Sequence, residues 1–256
     1  MIAFENVTKR LGGKLILDDV SFEVPKGETF VIVGLSGAGK SVTLKHMIHL
    51  LVPDSGVVRI GDDVISRARG LELERMRSRF GVLFQGAALL QWLSVFENVA
   101  LPLREHTKMS EEKIQKTVLK KLNMLNMQEA VDKYPSDLSG GMQKRVGLAR
   151  AIVMNPEIVL YDEPTSGLDP VTSRLIDGLI DNLRNELGIT SVVVTHDLHS
   201  ALSIGARIMM IDGGKIVENA TPHDFIESKN ETVKRFLESQ YITRRGNWEK
   251  GMESHV

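Results

Sequence analysis

The residues Gly34-Leu35-Ser36-Gly37-Ala38-Gly39-Lys40-Ser41 match the spacing G-x-x-x-x-G-K-[ST]. Glycines at these points let main-chain N–H groups curl around phosphate oxygens, and a helix starting there aims its positive end at the same anions. Lys40 is placed to reach the β and γ phosphates, and Ser41 offers a hydroxyl to Mg²⁺. Far downstream, Ile158-Val159-Leu160-Tyr161-Asp162-Glu163 is an apolar strand ending in two adjacent carboxylates. Asp162 suits the metal, and Glu163, one residue further along at the carboxyl end of the strand, suits a general base or a group that polarises water. A third stretch, Leu138-Ser139-Gly140-Gly141-Met142, opens a helical pattern running through Ile152. Taken alone, Ser139-Gly140-Gly141 reads either as a second phosphate-binding helix terminus or as a helix cap without a ligand.

These groups need a scaffold that brings strand ends together. Continuous apolar runs at 30–33, 158–161, 191–194 and 208–211 read as strands buried on both faces of a parallel sheet. Helical patterns separate several of them, which predicts an α/β core. Near the start, Val20, Phe22 and Val24 alternate with polar residues, and Ile2 and Phe4 hint at a similar strand, so a small antiparallel sheet is expected there. In the middle third, Ile114, Val118, Leu122 and Leu125 recur at spacings of four, four and three, one apolar face of a helix that starts near Ser110. This helix is expected to belong to a helical insertion, about 87–155, between two halves of the nucleotide core. After about residue 221 the chain turns polar. The predicted division is 1–225 for the nucleotide-binding domain and 226–256 for a C-terminal extension, whose Arg244-Arg245-Gly246-Asn247-Trp248 is either a frayed tail or a docking segment.

Composition narrows the partners. Lys plus Arg number 32 against 33 Asp plus Glu, a balance that argues against nucleic acid as a partner through general electrostatics. There is no cysteine, hence no disulfide framework and no thiolate metal site. The first residues carry Glu5 and Asn6 where a secretory signal needs a basic segment and an apolar run, and no stretch of about 18 uncharged apolar residues occurs. If cargo crosses a membrane, another chain is expected to supply the path.

The order of glycine loop, Leu-Ser-Gly-Gly signature and Asp162-Glu163-Pro164 resembles that of the ATP-binding cassette (ABC) family, over about residues 2 to 225. The resemblance implies a P-loop NTPase, RecA-like core with an N-terminal antiparallel β-subdomain and an inserted helical signature subdomain. It also implies ATP and Mg²⁺ as cofactors and an ATPase activity coupled to transport. By the same resemblance two copies pair head to tail, so that Ser139, Gly140 and Gly141 touch the partner's nucleotide. Gln85 resembles the Q-loop glutamine, supplying an amide oxygen to Mg²⁺ or to the attacking water. Ser166-Gly167-Leu168-Asp169 resembles the D-loop, with Asp169 organising the dimer seam, and His196 resembles the switch histidine that bonds the γ-phosphate. The expected nucleotide-binding set is thus Gly34, Leu35, Ser36, Gly37, Ala38, Gly39, Lys40, Ser41, Val42, Ser139, Gly140, Gly141 and Asp169. Ser41, Gln85 and Asp162 serve the metal, and Glu163, His196 and Gln85 serve catalysis. Three positions depart from the family pattern: Leu11 stands about where an aromatic ring often stacks on adenine, Val42 where a second hydroxyl often follows, and Met142 where glutamine is commoner. None removes a group needed for hydrolysis.

Beyond the motor motifs, the stretches 85–90, 95–99 and 101–105, the run 141–150 with its Met142, and Tyr161 resemble the cassettes of Mla-type phospholipid transport systems. That implies an integral-membrane permease, a lipid-binding protein with an MCE domain, and a peripheral location at the cytoplasmic face of the inner membrane. The competing expectations are a cassette for importing amino acids or small polar solutes, an exporter cassette for drugs or lipoproteins, and a soluble ATPase acting on ribosomes or DNA. A catalytically dead regulatory cassette predicts substitutions at Lys40, Asp162, Glu163 or His196, and none is present.

Overall fold

A computed structural model describes residues 1–240. Two strands, β1 (Ile2–Leu11) and β2 (Lys14–Val24), form a hairpin whose turn, Gly12-Gly13, has positive φ at both positions. With β4 (Ser55–Ile60) and β5 (Asp63–Val64) they make an antiparallel sheet in the order β2-β1-β4-β5. The larger sheet holds β3 (Thr29–Val33), β6 (Phe80–Leu83), β7 (Ile158–Asp162), β8 (Thr190–Val194), β9 (Arg207–Asp212) and β10 (Lys215–Ala220) in the order β10-β9-β3-β8-β7-β6. All its pairings are parallel except that of β10 with β9.

The apolar runs are continuous because each face of this sheet has its own core. Val31, Val33, Val159, Tyr161, Val193, Ile208 and Met210 join a cluster with the helices. Their neighbours Phe30, Ile32, Ile158, Leu160, Val192, Val194, Met209 and Ile211 join another with the antiparallel sheet. The twofold alternation of strand side chains distributes one apolar run between two cores.

The helices are α1 (Lys40–Met47) and α2 (Gly70–Arg77), which pack into the core shared with the antiparallel sheet, and, in the other core, α3 (Val95–His106), α4 (Glu111–Met124), α5 (Gly140–Ile152), α6 (Pro170–Leu187), α7 (Leu198–Ile204), α8 (Pro222–Ile226) and α9 (Glu231–Ser239). Ile114, Val118 and Leu122 of α4 are buried as their spacing predicts, and Leu125 is buried one residue past the helix. Ser110 occupies the N-cap, but its hydroxyl makes no capping bond. None of these helices is long and apolar enough to cross a membrane.

The boundary expected at 225/226 does not divide two packing units. Phe225 of α8 and Val233, Phe236 and Leu237 of α9 belong to the main core. The segment looks polar because α9 is short and buries only one stripe of a strongly amphipathic helix. Arg244, Arg245, Gly246, Asn247 and Trp248 lie outside the described residues.

Helix α5 lies very close to β6, and glycine is what permits it. A Cβ on Gly81 would stand 2.1 Å from the Ala151 carbonyl oxygen, which is fixed main chain. Gly81→Ala is therefore expected to destabilise the protein by about 1–3 kcal/mol through overpacking, read as a lower denaturant midpoint at unchanged slope.

Candidate functional site

The strand order dictates the site. β3, β8, β7 and β6 are consecutive neighbours and run parallel, so the loops leaving their carboxyl ends converge. Those loops carry, in that order, the glycine loop, His196, Asp162-Glu163 and Gln85.

Gly34 follows β3 at φ 150°, and a Cβ there would sit 2.3 Å from the Ile211 carbonyl oxygen, so the loop can leave the sheet here only as glycine. Gly39, in the left-handed region, is the N-cap of α1. Lys40 is buried, and its ammonium donates to the carbonyls of Gly34 at 2.8 Å and Leu35 at 3.2 Å while standing 3.9 Å from Glu163 Oε1. Burial pulls the Lys40 pKa down, and the Glu163 and Asp162 carboxylates push it back up. Ser41 Oγ donates to Asp162 Oδ1 at 3.0 Å, which places the hydroxyl and the carboxylate of the expected metal set side by side.

Glu163 adopts a left-handed backbone at φ 50°, a conformation that costs a non-glycine residue about 1 kcal/mol or more. Its N–H donates to the Val194 carbonyl at 2.8 Å, which holds the strained residue against β8. Its Oε2 lies 2.8 Å from His196 Nδ1 and accepts from the His196 N–H at 3.4 Å. A cavity of about 620 Å³ opens over this pair, walled by Leu35, Ser36, Gly37, Gly39, Lys40, Ser41, Val42, Gln85, Glu163 and His196. Ile16, Phe236, Ser239 and Gln240 complete the wall. A cavity of anion-seeking main chain, one buried ammonium and the Glu163 carboxylate, with Asp162 bonded to Ser41 of its wall, suits a nucleoside triphosphate and an attacking water.

Ser139, Gly140, Gly141 and Asp169 are not brought to this cavity. Ser139 caps α5, accepting from the Met142 N–H at 3.4 Å, and a Cβ on Gly141 would collide with Thr172 Cγ2 at 2.4 Å. Asp169 caps α6, accepting from the N–H groups of Val171 and Thr172 at 3.0 Å, and its bonds to Thr172 hold its carboxyl below the usual range. Leu11 is not in the wall either; Ile16 of the same hairpin is.

The family model for ABC transporters matches residues 17–166. The chain belongs to the ABC transporter family. It is the ATP-hydrolysing cassette of an ABC transporter, and ATP is its nucleotide. Among the cassette's relatives, the intermembrane phospholipid transport system ATP-binding protein MlaF of Haemophilus influenzae is 38% identical over 240 residues, covering 94% of this chain and 91% of that one. The probable ribonucleotide transport ATP-binding protein mkl of Mycobacterium leprae is 38% identical over 99% of this chain and 73% of its own length. The methionine import ATP-binding protein MetN of Carboxydothermus hydrogenoformans is 40% identical over 93% and 71%. Among solved structures, a bacterial ABC transporter cassette determined as a dimer superposes with a TM-score of 0.80 at 36% identity, covering 87% of this chain and 99% of that one.

The cassette also uses residues the sequence did not single out. Lys144 of α5 is buried and donates to the carbonyls of Gln85 and Glu163, the latter at 3.1 Å, tying α5 to the loops that carry both residues. Burial lowers its pKa, against the pull of Glu163 and Asp162. Arg150 donates to the carbonyls of Ala87 at 2.7 Å and Ala88 at 2.8 Å, consecutive residues in the left-handed region just after Gln85.

A second titratable group sits beside the loop that carries His196. Asp177 of α6 is buried and accepts from Ser200 Oγ of α7 at 2.6 Å. Burial raises its pKa to about 6, with the Asp197 carboxylate adding in the same direction and the Ser200 bond opposing. The folded state therefore binds the proton more tightly than the unfolded chain, and stability falls as pH rises from the ordinary carboxylate value through about 6. Asp177→Asn is expected to flatten that fall, raising the melting temperature relative to the wild type at about pH 7.5 more than at about pH 4.5. Parallel thermal melts across that range check it.

Proposed function

We infer that this cassette powers the movement of phospholipid between inner membrane and envelope through a separate integral permease. The observation that carries the reading is the correspondence with the H. influenzae phospholipid transport protein along nearly the whole of both chains. The surface above Gln85 supports a permease contact: Asn98, fully buried, accepts from the Leu90 N–H and donates to the carbonyls of Leu90, Leu93 and Ser94. That network pins the loop that presents Trp92 at 74% exposure, and Phe84 just before Gln85 is exposed as well, apolar side chains suited to seat a short cytoplasmic helix. The protein is then peripheral at the cytoplasmic face, with an MCE-domain lipid-binding protein in the same complex.

At the site, Lys40 and the N–H groups of residues 34–41 bind the β and γ phosphates. Ser41, Asp162 and the Gln85 amide would hold Mg²⁺; the adjacent hydroxyl and carboxylate oxygens of Ser41 and Asp162 are hard donors that fit the ion. When bound, Mg²⁺ neutralises charge on the phosphate oxygens. Glu163 orients the water and accepts its proton at a carboxylate oxygen, while His196 bonds the γ-phosphate. The position of Ser139, Gly140 and Gly141 outside the cavity supports a head-to-tail homodimer in which each signature closes the other copy's site. Asp169 lies on the seam. Residues 1–225 carry the motor, and α9 continues its core.

Gentle purification from native membranes, with mass spectrometry of the proteins and lipids retained, tests the reading. A permease, an MCE-domain protein and phospholipid are expected. The 40% identity to a methionine importer supports a second reading, and recovery of a solute permease without lipid would select it. Recovery with nucleic acid and no membrane partner would instead select a soluble ATPase.

A further inference from the structure

The last described helix reaches the switch histidine. In α9 the residues Val233, Phe236 and Leu237 are buried in the main core, and Gln240, the residue that ends the helix, follows on the side of the same stripe and is half-buried. The helix is fixed at its other end as well. Asn230 caps it by accepting from the Thr232 N–H at 2.9 Å and donates to the Val217 carbonyl at 3.0 Å, which ties it to β10.

Both ends of the Gln240 amide are committed to the switch loop. Oε1 accepts from the Leu198 N–H at 2.9 Å, and Nε2 donates to the His196 carbonyl. The Leu198 N–H belongs to the first turn of α7 and has no partner inside its own helix. Asp197, between the two contacts, caps α7 by accepting from the His199 and Ser200 N–H groups. One side chain thus spans the residue before and the residue after the cap, and fixes the peptide carrying His196. His196 in turn meets Glu163 through its ring nitrogen and its N–H. Gln240 is also in the walls of both the phosphate-loop cavity and the neighbouring cavity beside residues 165–168.

We propose that Gln240 is a positioning residue for hydrolysis: it straps the His196 main chain to α9, so the C-terminal helix sets the placement of the switch histidine relative to Glu163. The inference rests on the assignment of His196 to the γ-phosphate. Gln240 itself takes no proton, and both ends of its amide are spent on main chain.

The test uses the full chain in complex with its permease and measures steady-state ATP turnover. Gln240→Ala is expected to lower kcat about 5–20-fold with KM for ATP within about twofold, because the two bonds lost are both to the main chain of the His196 loop. The melting temperature is expected to hold within about 2 °C. Gln240→Glu keeps an acceptor for the Leu198 N–H but cannot donate to the His196 carbonyl, so it is expected to fail to restore kcat. In a His196→Ala background, Gln240→Ala is expected to add less than about a twofold loss in single-turnover assays, since the residue acts through His196. Unchanged kcat in Gln240→Ala overturns the proposal. So does full rescue by Gln240→Glu, which would reduce the role to capping α7, and so does a loss that persists undiminished beside His196→Ala. If His196→Ala alone keeps wild-type turnover, it is the site assignment that fails.

Discussion

Glu163→Gln is expected to bind ATP with near wild-type affinity and to lose turnover by about two to four orders of magnitude, the range typical of a lost general base. The substitution is close to isosteric. The amide oxygen can still accept from the His196 N–H, now 3.4 Å from Oε2, and from Thr195 Oγ1, now at 3.5 Å. Main-chain geometry is set by the bond from the Glu163 N–H to the Val194 carbonyl, which the variant keeps. Lys40 retains its two carbonyl acceptors, so the cradle for phosphate survives. What the amide cannot do is take a proton from water, and that alone raises the barrier by about 3–5 kcal/mol. Because ATP stays bound and unhydrolysed, the variant should also accumulate as a closed dimer. Phosphate release, fluorescent-nucleotide titration and size-exclusion chromatography with ATP check the three parts separately. Turnover within about threefold of the wild type would remove Glu163 from the role of base.

The parts of this site visible in the sequence are those whose chemistry needs several residue types at fixed short spacing. The loop from Gly34 to Ser41 is legible because steric exclusion at Gly34 and the phosphate cradle demand it locally. Asp162 and Glu163 are legible because they end an apolar run, and that run splits between two cores as a buried parallel strand must. Lys144 was not legible. Its acceptors lie 59 and 19 residues away, and a lysine within a basic helical stretch reads as a solvated face until the fold buries it. Gln240 was hidden for the same reason, since it reaches main chain 42 and 44 residues back. The segment after residue 221 misled because a short helix shows the core one stripe of three residues, too few to outweigh its charges in composition. At the hairpin, Ile16 rather than Leu11 is in the cavity wall, and which side chain faces the cavity depends on a β1–β2 register that shifts repeatedly between Phe4 and Arg10.

Lys40→Ala should separate binding from chemistry in the opposite sense to Glu163→Gln. The Lys40 ammonium is nearly enclosed at 7% exposure and is already desolvated, so its attraction for phosphate is little screened by water. Burial alone would favour the neutral amine, but Glu163 and Asp162 hold the proton on it, and a triphosphate entering the cavity adds further negative charge in the same sense. The ammonium is therefore the cation around which the loop is organised, donating to its own carbonyls at Gly34 and Leu35 until phosphate oxygens compete for those protons. Removing it deletes a charge-assisted bond worth about 1.5–3 kcal/mol and leaves phosphate facing two carboxylates with one fewer cation between them. The expected result is an ATP dissociation constant raised about 10–100-fold or more, with turnover lost at ATP concentrations that saturate the wild type. Lys40→Arg should not restore binding, because the planar guanidinium is too broad for a slot fitted to a single ammonium. Nucleotide titration by fluorescence, with melting curves to verify folding, decides the matter: unchanged affinity in a folded Lys40→Ala protein would take Lys40 out of the phosphate site.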